Sequence, residues 1–234
     1  MIFYMTHQGF KRESNEDRFL VKQYDNGSFL VSVADGMGGE AGGEVAAQIA
    51  IESLTSFDPG SQSVDKDLLG CFYFAGQRIL EEVTRNKDLK GMGTTATAVF
   101  KKGGVAHWAH VGDSRLYLFR NAVLKQVTED HTMAGLLLSE GKITAEEART
   151  HRLKNALFEC IGCANFEVDN GSFEVEQGDL LLLSTDGLHG EVPEEILTSI
   201  LKAKTALKDK IESLTQAALE RGGKDNITVI VAQV

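Results

Sequence analysis

The feature that most constrains this chain is an apolar run that ends in a carboxylate followed by glycines. Residues 29–34 (FLVSVA) have the composition of a buried strand, and they lead directly into Asp35 and Gly36. A carboxylate at the end of a buried strand is suited to holding a metal ion, and glycine lets the backbone approach a ligand closely. Asp-Gly is also a common turn signal, so a single occurrence does not indicate a site.

Three other aspartates stand at the edges of apolar runs. Asp186 follows the leucine-rich segment 180–185, Asp225 precedes the apolar segment 227–231, and Asp113 separates two further runs. Each one taken alone is better explained as a turn residue. Together they favour one shared site, because close carboxylates repel one another unless cations lie among them. Carboxylate and carbonyl oxygens suit Mg²⁺ or Mn²⁺, and the sequence has no His/Cys cluster of the kind that binds zinc.

A charged loop precedes these aspartates. Residues 12–17 (RESNED) place Arg12 before Glu16 and Asp17, between two predicted strands. A guanidinium beside a metal pair would hold a phosphate through two hydrogen bonds. Without the aspartates, a solvated charged loop would be the better explanation.

Composition restricts the class of protein. The chain has 234 residues, 42% of them hydrophobic and 25% charged, as in ordinary globular domains. Its net charge of −10 argues against a nucleic acid or an anionic membrane as partner. The sequence shows neither an apolar run long enough to span a bilayer nor a signal-peptide pattern, so a cytoplasmic location is expected.

Three cysteines do not make a disulfide framework, and their odd number fits a reducing compartment. Cys160 and Cys163 form a single CxxC. A redox switch or a metal clip is one interpretation of this pair, but two ordinary cysteines near the end of segment 129–166 are the favoured one.

The hydrophobic patterns predict strands in blocks and helices in pairs, which indicates an α+β protein with mainly antiparallel sheet. The polar segment 129–166 has short helical patterns and no strand, and we expect it to lie over a sheet edge. Pro193 is predicted in the first turn of a helix. The predicted strands are 2–6, 18–24, 29–34, 94–100, 104–111, 114–120, 172–176, 180–185 and 227–233. One helix is predicted from Val45 to Phe57, a second carries residues 68–83, a third starts from Pro193 and a fourth carries residues 207–218.

Seven short motifs carry a family resemblance. In chain order they are RESNED (12–17), ADGMGG (34–39), GMGTT (91–95), VGDSRL (111–116), TEDH (128–131), STDGL (184–188) and GKDNIT (223–228). Each is weak alone, but their order and their spread over nearly the whole chain are specific. The sequence resembles the metal-dependent serine/threonine protein phosphatases of the PP2C (PPM) family in their compact bacterial form.

The resemblance implies a fold and a domain organisation. Two antiparallel sheets would pack face to face, with pairs of helices on the outer faces, as an α/β/β/α sandwich. The whole chain, 1–234, would be a single phosphatase domain, and 129–166 would be the flap that shapes access to its active site.

The resemblance also implies a set of metal ligands. Asp35 would bridge two Mn²⁺ or Mg²⁺ ions, and the carbonyl of Gly36 would bind one of them. Asp186 and Asp225 would hold the first ion, and Glu16 would support the second through a water molecule.

Three further roles follow from the same resemblance. Arg12 would bind the substrate phosphate. Asp113 would hold a weaker third metal together with Asp186, and Asp17 would contact the ligands rather than the ions.

The implied activity is hydrolysis of phosphoserine and phosphothreonine in proteins by a metal-activated water, reversing a Ser/Thr kinase. The expected partners are phosphoproteins, including a cognate kinase or its targets, and the expected state is a monomer. Two alternatives stay open: a catalytically silent regulator that binds phosphoproteins, and a phosphatase of a small metabolite. The complete set of Arg12, Asp35, Asp186 and Asp225 argues against the silent regulator.

The chain departs from the family at the expected proton donor. Animal members carry a histidine, proposed as general acid, where this sequence has Met37. The chain's histidines, taken singly, are more often structural, so we predict that none of them replaces that acid.

Overall fold

The computed structural model describes residues 1–38 and 42–234, which contain two five-stranded antiparallel sheets. The ADGMGG motif therefore leaves the described residues at Gly39. In chain order the strands are β1 (Ile2–His7), β2 (Arg18–Gln23), β3 (Phe29–Ala34), β4 (Gly36–Met37), β5 (Gly93–Thr94), β6 (Ala96–Lys102), β7 (Val105–Val111), β8 (Arg115–Arg120), β9 (Val123–Gln126), β10 (Asp169–Glu174), β11 (Leu180–Ser184) and β12 (Ile227–Gln233).

The first sheet has the strand order β1-β12-β11-β8-β9, and the second has the order β10-β7-β6-β3-β2. Strands β4 and β5 pair with each other in a short ribbon beside the second sheet. The helices are α1 (Gly42–Thr55), α2 (Val64–Arg85), α3 (Met133–Ser139), α4 (Ala145–Thr150), α5 (Asp186–His189), α6 (Glu194–Lys202) and α7 (Leu207–Glu220). None of these described helices is both long enough and apolar enough to cross a membrane.

Three apolar layers hold the architecture together. Between the sheets, Val31 of β3 belongs to the same buried cluster as Leu181 and Leu183 of β11. Side chains alternate along a strand, so Leu30 instead joins the layer under α1 and α2, and Leu182 joins the layer under α6 and α7. Because both faces of these central strands are covered, the sequences of the strands are continuous apolar runs. The predicted α+β sandwich is confirmed.

Some predicted element boundaries were wrong. Helix α1 begins at Gly42 rather than near Val45, although glycine disfavours helices, because tertiary packing buries its first turn. It ends at Thr55, so the buried Phe57 lies beyond it. Pro193 precedes α6 and does not lie in its first turn.

Strand β9, the β4–β5 ribbon and the short helix α5 were not predicted. Strand β9 follows a tight turn in which Asn121 and Ala122 both have positive φ, at 52° and 64°. Nothing but the asparagine signals such a turn, because the sequence has no glycine there. The β4–β5 ribbon is two residues long on each side, too short to produce a periodic pattern.

The favoured interpretation of Cys160 and Cys163 as two ordinary cysteines was wrong, because the two residues form a disulfide. A turn in which the Cys163 amide donates to the Cys160 carbonyl at 3.1 Å brings their Cα atoms to 5.3 Å, within the range that a disulfide requires. Gly162 makes this turn possible with a φ of +105°. CxxC spacing alone does not reveal the turn.

Candidate metal centre

The end of β3 carries Asp35 into the β4–β5 ribbon. The Asp35 amide donates to Thr95 Oγ1 at 3.1 Å, and its carbonyl accepts from Thr94 Oγ1 at 2.8 Å and from the Thr95 amide at 2.9 Å. The backbone around Asp35 is therefore held on both sides by the two threonines of the GMGTT motif.

Gly36 lies where no side chain would fit. A Cβ on Gly36 would be 2.1 Å from the carbonyl oxygen of Gly43 and 2.9 Å from that of Glu16. The first turn of α1 and the charged loop 12–17 therefore pack directly against this glycine. The Glu16 amide in turn donates to Asn226 Oδ1 at 2.8 Å, which ties the loop to the opposite sheet.

Asp186 and Asp225 come from neighbouring strands of the other sheet. Asp186 follows the end of β11, and Asp225 precedes the start of β12. Because these strands are antiparallel, the two aspartates lie at the same sheet edge. The Thr185 amide donates to the Thr228 carbonyl, and the Thr228 amide donates to Thr185 Oγ1, each at 3.0 Å, so the pairing continues up to the aspartates.

Asp17 lies beside Thr185, the residue before Asp186, and is 2% exposed. Its Oδ2 accepts from Thr185 Oγ1 at 2.8 Å, whereas its Oδ1 is buried without a hydrogen-bond partner among the described residues. Burial raises the pKa of Asp17 to about 7, with smaller contributions from Asp186 and Asp225. The structure thus places Asp17 against the threonine that precedes Asp186.

The carboxylates act strongly on one another. Burial and then the nearby carboxylates, led by Asp17 and Asp186, raise the pKa of Asp35 well above its ordinary value. Burial and Asp225 raise the pKa of Asp186 to about 6, although a hydrogen bond with Asp35 and the charges of Arg12 and Lys154 oppose the rise. Without a cation, such a cluster must hold protons.

These residues fit a pair of divalent cations. Asp186 Oδ1 is buried and has no hydrogen-bond partner in the described parts of the chain, and an unsatisfied buried carboxylate oxygen is a position that a cation would satisfy. The available donors are carboxylate and carbonyl oxygens, which suit Mg²⁺ and Mn²⁺. Within ranges 1–38 and 42–234, however, no three such side chains converge on one point as a finished ligand set would. Asp225 is instead engaged by Arg12.

Arg12 lies at the open side of the cluster. Its Nη2 is 2.7 Å from Asp225 Oδ2, and its side chain is 53% exposed. The hydrogen bond that Arg12 donates to Asp225, followed by the charges of Asp225, Asp35 and Asp186, raises the pKa of Arg12 despite some desolvation. Arg12 therefore presents a permanent positive charge to the space that the aspartates surround.

Asp113 faces the same cluster from the β7–β8 turn. It is 7% exposed, and burial followed by the charge of Asp186 raises its pKa well above the ordinary value. Its neighbour Ser114 shares a hydrogen bond with Thr95 at 2.7 Å. Since Thr95 also binds the Asp35 amide, a chain of hydroxyl groups connects the Asp35 and Asp113 segments.

The histidines near this site are engaged in structural hydrogen bonds. His110 contacts Thr97 Oγ1 at 2.8 Å and the Glu129 carbonyl at 2.9 Å, and burial together with His131 lowers its pKa to about 4. His131 Nδ1 accepts from the Gly112 amide at 3.2 Å. His189 shares a hydrogen bond with Ser184 at 2.9 Å, and burial and the charge of Arg115 lower its pKa well below the ordinary value.

We expect that replacing His131 or His151 by alanine costs less than about tenfold in turnover, and costs it equally on a phosphothreonine peptide and on p-nitrophenyl phosphate. A proton donor would matter only for the peptide, because an alkoxide leaves poorly and a nitrophenolate leaves well. Parallel kinetics on the two substrates measure the ratio of the two losses. A selective loss of about a hundredfold on the peptide would identify that histidine as the acid.

A cavity of about 920 Å³ opens beside Asp113 and Asp186, between α6 and the segment 129–166. Arg115 forms part of its wall. It donates two hydrogen bonds to Asp130, from Nε to Oδ1 at 2.7 Å and from Nη2 to Oδ2 at 2.6 Å. Lys154 also lines the cavity, and its charge reaches Asp186. Lys154 was not predicted as a site residue, because one lysine in a polar segment gives no signal.

The sequence also did not predict the polar residues that hydrogen-bond to the segments carrying the aspartates. Asn226 donates through Nδ2 to the carbonyls of Gln8 and Ser14, both at 2.8 Å, and so anchors the charged loop. Thr185, Thr95 and Asn226 stand inside recognised motifs. The only signal that marks them is a polar residue at the end of an otherwise apolar strand.

Known proteins resemble this chain in sequence and in fold. Residues 10–230 match the family model described as Protein phosphatase 2C. The "Serine/threonine phosphatase stp" of Listeria monocytogenes is 36% identical over 237 residues, covering 98% of this chain and 94% of the relative. The crystal structure of the Mycobacterium tuberculosis serine/threonine phosphatase PstP/Ppp superposes with a TM-score of 0.92 at 34% identity, covering 100% of this chain and 98% of the other.

A second solved structure is the catalytic domain of the serine threonine protein phosphatase PstP in complex with 2 manganese ions. It has a TM-score of 0.89 and 34% identity, and the match covers 100% of this chain and 97% of that one. This chain belongs to the protein phosphatase 2C family.

Proposed function

We propose that this protein removes phosphate from phosphoserine and phosphothreonine residues of other proteins, using two Mn²⁺ or Mg²⁺ ions and a weaker third. The observation that carries the proposal is the buried cluster of Asp35, Asp186 and Asp113, whose carboxyl pKa values are all raised and which has Arg12 at its open side. The relatives described above are serine/threonine phosphatases, and one of them is a manganese complex, which supports the same conclusion.

Each predicted site residue has a role in this proposal. Asp35, Asp186, Asp225 and the Gly36 carbonyl would hold the principal ions, with Glu16 acting through water. Asp113 would hold the third ion together with Asp186, and Asp17 would fix Thr185 beside the ligands.

Bound divalent ions would activate a water and neutralise charge on the transferring phosphoryl group.

The chain's own residues would position the substrate. The Arg12 side chain is 53% exposed, and among the described residues it bonds only to Asp225. Its guanidinium can therefore exchange that carboxylate for a phosphate with two parallel hydrogen bonds. The cavity beside Asp113 has room for the residues that flank a phosphorylated side chain. Arg115 and Asp130 pair with each other in its wall through two hydrogen bonds.

We also propose a domain organisation and a cellular setting for this protein. Residues 1–234 would form one phosphatase domain in which 129–166 is a flap over the cavity. The protein would act as a cytoplasmic monomer in bacterial signalling, opposing a Ser/Thr kinase and acting on that kinase or its targets. Its negative charge and the lack of any membrane-spanning helix among the described residues are compatible with this setting.

A substrate panel tests the proposed function. Turnover with Mn²⁺ is measured on phosphothreonine and phosphoserine peptides, a sugar phosphate and p-nitrophenyl phosphate. We expect the peptides to have the highest kcat/KM, and chelation to abolish all turnover. Efficient hydrolysis of the sugar phosphate alone would favour a metabolite phosphatase, and peptide binding without turnover would favour a silent regulator.

We expect Arg12→Ala to raise KM for a phosphopeptide by roughly 10- to 100-fold with little change in Mn²⁺ affinity, because the lost contact is with phosphate. Steady-state kinetics and calorimetric titration of Mn²⁺ measure the two effects. Arg85→Ala is the matched control, because Arg85 is an exposed arginine at the end of α2. Loss of metal binding in Arg12→Ala would instead make Arg12 a structural residue.

A further inference from the structure

The Cys160–Cys163 disulfide lies directly against the segment that carries Asp35. Ile161, between the two cysteines, is 1% exposed and is part of the core under α1 and α2. Its carbonyl accepts from the Thr94 amide at 3.0 Å, and its amide donates to the Thr94 carbonyl at 2.9 Å. The disulfide turn therefore pairs with β5 as an additional strand would.

Strand β5 transmits this contact to the metal centre. Thr94 pairs with Gly36 on its other side, and Gly93 pairs with Met37. Thr94 Oγ1 also donates to the Asp35 carbonyl at 2.8 Å. One residue thus joins the disulfide turn to both Asp35 and Gly36.

The disulfide turn is closely packed where it faces β5 and α2. A Cβ on Gly93 would be 2.9 Å from Cys160 Sγ, and a Cβ on Gly162 would be 2.8 Å from Ile79 Cγ2. Bonded sulfurs lie about 2.0 Å apart, whereas non-bonded heavy atoms keep about 3.5–4.0 Å. Once the bond is broken the two sulfurs must separate, and Cys160 cannot move toward Gly93 without displacing β5, so the turn has to open on the Cys163 side.

The two sulfurs differ in access. Cys160 is 2% exposed, whereas Cys163 is half-buried and lines an open groove of about 630 Å³ along α2. Tyr73, Leu80 and Phe166 form apolar walls of this groove. An attacking thiolate can approach Cys163, and Cys160 is then the leaving sulfur.

We propose that Cys160 and Cys163 form a redox modification site that takes a dithiol reductant as its substrate, and that the redox state of this pair sets the metal affinity of the Asp35 segment. One thiolate of the reductant attacks Cys163 Sγ, and Cys160 leaves as a thiolate that takes up a proton. The second thiolate of the reductant then attacks its own mixed-disulfide sulfur and releases Cys163. The protein gains two electrons and two protons, and the reductant becomes a disulfide.

The contacts of Thr94 indicate that reduction of the disulfide weakens Mn²⁺ binding. In the disulfide form Thr94 is held by Ile161 on one side and binds Gly36 and Asp35 on the other. Reduction frees the turn, so the Asp35 segment loses part of its support. We expect reduction to raise the dissociation constant for Mn²⁺ by about 5- to 20-fold, which is a typical coupling between sites.

The test compares oxidised protein, protein reduced with a phosphine that is then removed, and the double variant Cys160→Ser/Cys163→Ser. Thiols are counted after denaturation, Mn²⁺ binding is measured by calorimetry, and amide exchange of Thr94 is measured without metal. We expect the thiol count to rise from one to three on reduction, because Cys71 is the remaining cysteine. Weaker Mn²⁺ binding and faster Thr94 exchange should accompany it, and the double variant should resemble the reduced protein under all conditions.

The control is Cys71→Ser, which lacks the buried cysteine of α2 and should respond to reduction as the unaltered protein does. Unchanged Mn²⁺ affinity and Thr94 exchange after the thiol count has risen would overturn the proposal. A count of three thiols that persists under a mild oxidant, or a redox response in the double variant, would also overturn it. The metal readout depends on the proposed function, but the thiol count and amide exchange do not, so failure of one is distinguishable from failure of the other.

Discussion

Replacing Asp35 by asparagine should reduce Mn²⁺-dependent hydrolysis of a phosphothreonine peptide by about a thousandfold or more, which corresponds to about 4 kcal/mol of transition-state stabilisation. Asparagine has nearly the same shape and can still hydrogen-bond to Asp186, so the fold should persist. What it lacks is the negative charge that two cations would share. The measurement is kcat/KM at saturating Mn²⁺, with circular dichroism to confirm folding.

Asp65→Asn is the matched control, because Asp65 is an exposed aspartate on α2 that contacts His107 at 2.8 Å. It should keep full activity. Asp225→Asn should behave as Asp35→Asn does, since both aspartates face the same space. If either variant of the cluster keeps near-normal turnover, the ligand assignment is wrong.

Removing metal should destabilise the protein, and more so at neutral than at mildly acidic pH. Binding to the native state alone adds about 2.7 kcal/mol at a hundredfold excess over Kd, which corresponds to about 5–10 °C in Tm for a chain of this size. Thermal melts with saturating Mn²⁺ and with EDTA, at about pH 7.5 and about pH 5.5, measure the difference.

The buried carboxyl groups explain why metal removal destabilises the protein more at the higher pH. Burial raises the pKa of Asp17 to about 7 and that of Asp186 to about 6, from ordinary values near 3.8. The metal-free protein is therefore stabilised by these protons at low pH, and that stability is lost as the pH rises through 6 and 7. Metal replaces the protons, so chelation costs more at the higher pH.

The histidines act in the opposite direction. The pKa of His110 is lowered to about 4 by burial and by His131, so its contribution to stability is lost as the pH falls below about 6.5. This contribution is present with and without metal, and the difference between the two melts removes it. A Tm that does not respond to EDTA at either pH would contradict a cluster formed for cations.

The sequence predicted the parts of the fold that depend on continuous apolar runs. Strands β3, β11 and β12 are buried along nearly their whole length, so their patterns are strong. The ribbon of β4 and β5 could not be predicted, because it is held by contacts with residues far along the chain, such as Ile161. The disulfide was missed for a related reason, since CxxC spacing is compatible with several turns.

The sequence also placed the main site residues near one another. Asp35, Asp113, Asp186 and Asp225 were grouped because each stands at a strand edge, and the structure brings them within reach of one another's charge. The partners that hold them were not visible. The shared hydrogen bond of Thr95 and Ser114, and the bonds of Asn226 to loop 8–14, depend on which sheets face each other. These hydrogen bonds join residues that are far apart in the chain, so the sequence gives little indication of them.

The central claim is that these aspartates hold divalent metal for phosphoryl transfer, and anomalous diffraction from crystals grown with Mn²⁺ tests it most directly. We expect two strong anomalous peaks among the oxygens of Asp35, Gly36, Asp186 and Asp225, with a weaker third near Asp113. Peaks confined to other parts of the surface, with Arg12 still bound to Asp225, would contradict the account.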